Sequence, residues 1–96
     1  MNISELKELK NFLNCYFNQD TDDIYISLEE YIKENRKNIN IILKEIKIFL
    51  NDPEIGDLTR IKFIEEESDI YYAGYELTPI EWIQFIEKRL EEEINK

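Results

Sequence analysis

Asp20, Asp22 and Glu29 come nearest, by type and spacing, to a recognisable chemistry. Counted from Asn18 they fall at the third, fifth and twelfth places of a twelve-residue calcium loop, with helical patterns on both sides. The match breaks at two places. Asn18 stands where an aspartate usually opens the loop, and Asp23 stands at the sixth place, where glycine normally takes the sharp turn that a side chain resists. No metal is expected. Histidine is absent, which removes the commonest general base and transition-metal ligand. Cys15 therefore has no imidazole to activate it, and no glycine loop could cradle a phosphate. Carboxylate pairs such as Asp22 and Asp23 arise from an acidic composition alone. The chain is read as a non-enzyme without cofactor, with Cys15 expected as a small buried hydrophobe.

Surface chemistry is what remains. Asn11 to Ile32 carries five acids and no base, and Phe63 to Glu76 again carries five acids and no base. The second segment adds Tyr71, Tyr72 and Tyr75. Tyrosine among carboxylates suits an interface, because the ring supplies area and the hydroxyl finds a partner. Ordinary solvated faces with acids capping helix starts remain an open alternative.

The elements that must position these groups are helices. Leu6, Leu9, Phe12, Leu13, Tyr16 and Phe17 share one helical face, so residues 3–17 read as a helix whose start Asn2 with Glu5, or Ser4, could cap. Ser27 followed by Glu29 and Glu30 suggests a capping box for a second helix, with Leu28, Tyr31 and Ile32 buried. The polar run 34–38 reads as a break. Ile39, Ile42, Leu43, Ile46, Phe49 and Leu50 form the strongest stripe, with Lys44 and Lys47 opposite. Pro53 ends that helix. Leu58, Ile61 and Ile64 suggest a fourth helix over 57–66, although the alternation in that stretch also fits a strand. Residues 68–76 read as an ordered loop or extended segment. Thr78, Pro79 and Glu81 announce a last helix carried by Ile83, Ile86, Leu90 and Ile94, with Trp82 and Phe85 widening its apolar face. The expected fold is all-α, a compact bundle of four to five helices forming one domain over 1–96.

Composition supports that reading and narrows the partners. The 96 residues are 43% hydrophobic and 12% aromatic, enough to fold one core, with two glycines and two prolines. Twenty-two acids against twelve bases leave a net charge of −10, which repels phosphate backbones and attracts cationic surfaces. Direct nucleic-acid binding is not expected. The N-terminus lacks an apolar targeting stretch, no apolar run reaches membrane-spanning length, and a lone cysteine fits a reducing compartment, so a cytoplasmic location without membrane contact is expected.

The string "LKNFLNCYFNQD", residues 9–20, and the later "SLEEYI" resemble the start of immunity proteins from contact-dependent growth inhibition systems. Tyr16, Phe17, Gln19 and Asp20 match that family's signature at the end of its first helix, and Trp82 matches a tryptophan early in its last helix. Thr21 stands where the family usually shows an aromatic. "SDIYY", residues 68–72, is similar to a segment with which the immunity proteins of nuclease colicins contact their toxins. Both resemblances imply an antitoxin that binds and blocks a nuclease-type toxin. On this view the partner is a cognate basic toxin domain, and the contact candidates are Asp22, Asp23, Glu65, Glu66, Glu67, Asp69, Tyr71 and Tyr72. The physical reading agrees, since a nuclease presents a basic surface that a rigid acidic domain can cover. An acidic DNA mimic or regulator that blocks a nucleic-acid-binding partner fits the same charge.

Overall fold

Apolar residues at three-and-four spacing give each helix one side that water disfavours, and in the computed structural model, which describes residues 3–18, 23–69 and 76–96, those sides meet in a shared core. The described residues form α1 (Lys7–Tyr16), α2 (Ile24–Glu34), α3 (Ile39–Asn51), α4 (Asp57–Glu67) and α5 (Pro79–Ile94), with 3₁₀ turns at Ile3–Glu5 and Arg36–Asn38. There is no strand among them. The all-α bundle is thus the fold, and the ambiguous segment around Ile61 is helical.

The spine is α3, as its stripe predicts. Ile39, Ile42, Ile46 and Phe49 are buried and Lys44 and Lys47 exposed, and α3 packs chiefly on α5 and α1. Asp52 takes an extended conformation before Pro53 (φ −68°, ψ 117°), which stops the helix. Its open carbonyl end is closed from a distance. Arg60 of α4 reaches back, donating from Nε to the Phe49 carbonyl (2.6 Å) and from Nη2 to that of Asp52 (2.8 Å), while Nη1 meets Asp57 at 2.9 Å. Arg60→Met keeps the stem but leaves both carbonyls without this donor; it should cost about 1.5–3 kcal/mol in urea unfolding. An unchanged midpoint would show that water caps α3 equally well.

Two expected starts are corrected. The N-cap position of α1 is Leu6, with no side-chain cap; Glu45 of α3 supplies a surrogate by accepting from the Leu9 amide at 3.0 Å. The N-cap position thus falls two residues after Ser4, and Asn2 lies outside the described residues. Ser27 likewise lies inside α2. That helix starts four residues earlier, where Asp23 Oδ1 accepts from the Tyr25 amide (2.8 Å) and the Ile26 amide (3.0 Å), and buried Ile24 ties the first turn to the core. The Thr78 capping box of α5 forms as expected, with Glu81 returning the bond at 3.0 Å.

Four burial expectations also change. Cys15 is exposed, because the inward stripe of α1 runs through Leu9, Phe12, Leu13 and Phe17 and leaves it on the outer side. Leu58 is 84% exposed; the inner face of α4 centres on Ile64, with Arg60, Ile61 and Glu67 around it, and Leu58 points away. Ile94 and Phe85 are also exposed, whereas Ile83, Ile86 and Leu90 are fully buried.

Helices α2 and α5 run parallel, with matching contacts in step along them. Tyr25 meets Phe85 (ring centroids 5.2 Å apart), Arg89 grips Glu29 through two 2.7 Å bonds, and Arg36 approaches Glu93 at 3.6 Å. Glu93, with a side chain only 6% exposed, is also met by Arg89 and Lys96 at 3.1 Å each. Hydrogen bonds from Lys96 and Arg89 hold its carboxyl below the usual carboxylate range, and those that Arg89 donates to Glu29 hold the guanidinium charged. A carboxyl lowered on folding contributes stability above its unfolded pKa and loses it as pH falls towards the folded value. Thermal melts should therefore decline more steeply below pH about 4.3 for the native chain than for Glu93→Gln. Parallel curves would mean that the cluster is screened into irrelevance.

Candidate docking surface

The C-terminal ends of α1 and α4 lie side by side. The Asp69 amide donates to the Phe17 carbonyl at 2.9 Å, and Asn14 Nδ2 joins Glu67 Oε2 at 2.7 Å and the Lys10 carbonyl at 2.9 Å. Between them opens a cleft of about 260 Å³, lined by Asn14, Phe17, Asn18, Ser68 and the acids Glu65, Glu66, Glu67 and Asp69. Buried Ser68 anchors the turn by donating from Oγ to the Ile64 carbonyl (2.5 Å).

This arrangement runs against helix electrostatics. Each helix C-terminus carries a partial negative charge, and neither α1 nor α4 has a base in its last turn. Three consecutive glutamates and Asp69 crowd that pole all the same. Among the described residues only the exposed Lys62–Glu66 contact, at 3.9 Å, offsets it. The cleft is thus a built-in negative focus held by the fold at some local cost, the kind of conflict that accumulates at functional sites.

Four of the expected contact residues, Glu65, Glu66, Glu67 and Asp69, are brought together here. Glu65, Glu66 and Asp69 are exposed, and Glu67 is half-buried under Asn14. Asp23 sits apart from them in the sequence and is tied to the fold by capping α2. Asp22, Tyr71 and Tyr72 lie outside the described residues, as do Gln19 and Asp20 of the signature.

The remaining signature residues are structural. Phe17 is fully buried and meets Trp82 edge-on with centroids 4.8 Å apart, so the end of the first helix is pinned to the start of the last. Tyr16 is half-buried, packed against Phe12 and Tyr31.

A second surface was not legible beforehand. Tyr25 and Ile26 of α2 and Phe85 of α5 are exposed together, Ile26 at 61%, beside a shallow, largely apolar depression of about 350 Å³ edged by Glu29, Glu30 and Lys33. Contiguous exposed apolar groups of this kind mark interaction sites. Its sequence signal is that Tyr25 and Ile26 fall off the inward stripe of Ile24, Leu28, Tyr31 and Ile32. Through Phe17–Trp82 and Tyr25–Phe85, the patch and the cleft belong to the same end of the bundle.

The calcium reading fails on position as well as residue type. Residues 24–29 of the would-be loop are helical, and Asp23 has φ −145° where the loop needs a left-handed turn. Among the described residues no three His, Cys, Asp or Glu side chains are placed to share a metal, and no helix is long and apolar enough to cross a membrane.

A family model described as CdiI immunity protein matches residues 5–90, nearly the whole chain. The chain belongs to the CdiI immunity protein family. The CdiI proteins are antitoxins of contact-dependent growth inhibition, so this chain is an antitoxin whose partner is a cognate toxin. The Phe17–Trp82 contact lies within the matched region, as do the cleft and the patch. No curated protein and no solved structure matches the chain.

Proposed function

We propose that this immunity protein neutralises a nuclease toxin in the cytoplasm by capping a basic surface of the toxin domain with the end of its bundle where α1 and α4 terminate. The observation that carries this reading is the set of carboxylates gathered at two negative helix ends with almost no cation to offset them. Such a site relaxes when lysine or arginine arrives, and a nuclease has both because it must hold phosphate. Glu65, Glu66, Glu67 and Asp69 supply the field. Asp22, Asp23, Tyr71 and Tyr72 extend the contact set, and Tyr25, Ile26 and Phe85 add apolar area that excludes water around it. The chain acts as one domain, without catalysis.

Stopped-flow mixing with the purified cognate toxin domain tests this. A one-to-one complex is expected, with loss of nuclease activity and an association rate that drops by roughly an order of magnitude or more between low and physiological salt, because steering is screened beyond about 8 Å. Association independent of salt would refute the electrostatic mode, and a toxin that cleaves no nucleic acid would refute the nuclease assignment.

A further inference from the structure

Two exposed aromatics at the α2–α5 seam are held in place from both helices. Tyr25 lies in the first turn of α2, where Asp23 Oδ1 accepts from its amide at 2.8 Å, and its ring meets Phe85 edge-on, 5.2 Å away with the planes 85° apart. Four residues along each helix, Arg89 holds Glu29 through two 2.7 Å bonds and locks the helices in step. Rings fixed in this way have little rotamer freedom left to lose, so covering them with a partner costs less entropy than covering loose side chains. Ile26, the most exposed of the three, lines the same depression as Tyr25.

Size and charge select the occupant. Three partly exposed side chains offer on the order of 300 Å², against roughly 800 Å² per partner in a stable interface, too little to hold a second copy by themselves. A second copy would also bring a further charge of −10. The patch therefore belongs to a larger contact with a partner of opposite charge. Its rim has the same preference: Glu29 is already held by Arg89, but Glu30, exposed at the edge, meets no base among the described residues.

We infer that Tyr25, Ile26 and Phe85 receive an apolar side chain that the cognate toxin domain presents next to a cationic one, and that this contact decides which toxin is retained and for how long. The inference rests on the reading that the toxin docks at this end of the bundle. Charge at the acidic cleft draws in any basic domain and speeds encounter, but it is screened by salt and distinguishes poorly between cationic surfaces. Apolar contacts act only at touching distance, so they are felt after encounter, in the dissociation rate. A toxin with a polar side chain at the matching place buries it against the two rings without a hydrogen-bond partner, and is released.

The test measures association and dissociation rates of the full chain with the purified cognate toxin domain, for the native chain and for the double variant Ile26→Ala, Phe85→Ala. Both sites are exposed, so the melting temperature should stay near native. Dissociation is expected to quicken by about 30-fold or more while association changes by less than about threefold, the reverse of Glu65→Lys, Glu66→Lys, Asp69→Lys. Ile26→Ser alone should quicken dissociation by about fivefold. Native dissociation in the double variant, with association slowed in the triple one, overturns the role of the patch and leaves the electrostatic reading standing. Salt-independent association, with dissociation quickened in the double variant, does the opposite. Native rates in both variants overturn both. A basic nuclease domain from an unrelated toxin should leave the native chain and the double variant equally fast; slower release from the native chain would show that the patch does not discriminate. Sedimentation of the free chain should give a monomer, and a dimer that the double variant abolishes would assign the patch to a second copy and overturn the inference.

Discussion

Trp82→Ala is expected to lose about 3–5 kcal/mol of stability, most of what a domain of this size has, and to leave a chain largely unfolded at 37 °C. The indole is 1% exposed and joins three parts of the molecule. It starts α5 immediately after the capping box, meets fully buried Phe17 edge-on at 4.8 Å, and thereby holds the α1 end of the acidic cleft against the last helix. Truncation removes the transfer energy of a large aromatic and leaves a cavity beside Phe17 that rigid helices cannot close. Urea denaturation followed by circular dichroism measures this directly. Phe85→Ala, three residues along the same helix but exposed, is the comparison and should cost under about 1 kcal/mol. Equal losses from the two variants would show that Phe17–Trp82 does not anchor the bundle end.

The triple variant Glu65→Lys, Glu66→Lys, Asp69→Lys is expected to slow toxin association by about 10²-fold or more and to abolish protection of cells that carry the toxin. Its effect on stability should have the opposite sign. Lysine at a helix C-terminus interacts favourably with the dipole where glutamate does not, so the variant should unfold at a slightly higher temperature, by the equivalent of about 0.5–1 kcal/mol. The combination matters because a merely damaged fold would lose both properties together. Lost stability with lost binding would assign these carboxylates a structural role. Retained association would move the docking face elsewhere, with the Tyr25–Ile26–Phe85 patch the first place to look.

The parts of this fold that could be read in advance are those whose causes are local. The stripe of α3, the break after Glu34, the stop before Pro53 and the capped start of α5 each rest on residues within one or two helical turns of each other, and each forms as expected. The misplaced parts depend on distant partners. Arg60 closes α3 from eleven positions away and Glu45 caps α1 from thirty-six, so neither end looks satisfied in the sequence. Leu58 fits the apolar spacing of α4 but not the face that α4 turns inward, because that face is chosen by the helices it meets. Exposed Cys15 and Phe85 are misplaced for the same reason.

The candidate site divides along the same line. The run from Glu65 to Asp69 was recognisable as acidic, but nothing local indicated that Asn14 and Glu67, fifty-three positions apart, would bring a second helix end against it. Helix content, a charge of −10, the lack of histidine and the likeness to an immunity family were determined by the sequence alone, because propensity, charge and motif belong to residues or to short windows. Which carboxylates are neutralised and which stand unopposed was decided only by the tertiary structure. Glu29 meets Arg89 across the α2–α5 seam while, among the described residues, Glu65 and Asp69 meet no base, since an ion pair needs an approach within about 4 Å and helix packing sets that distance.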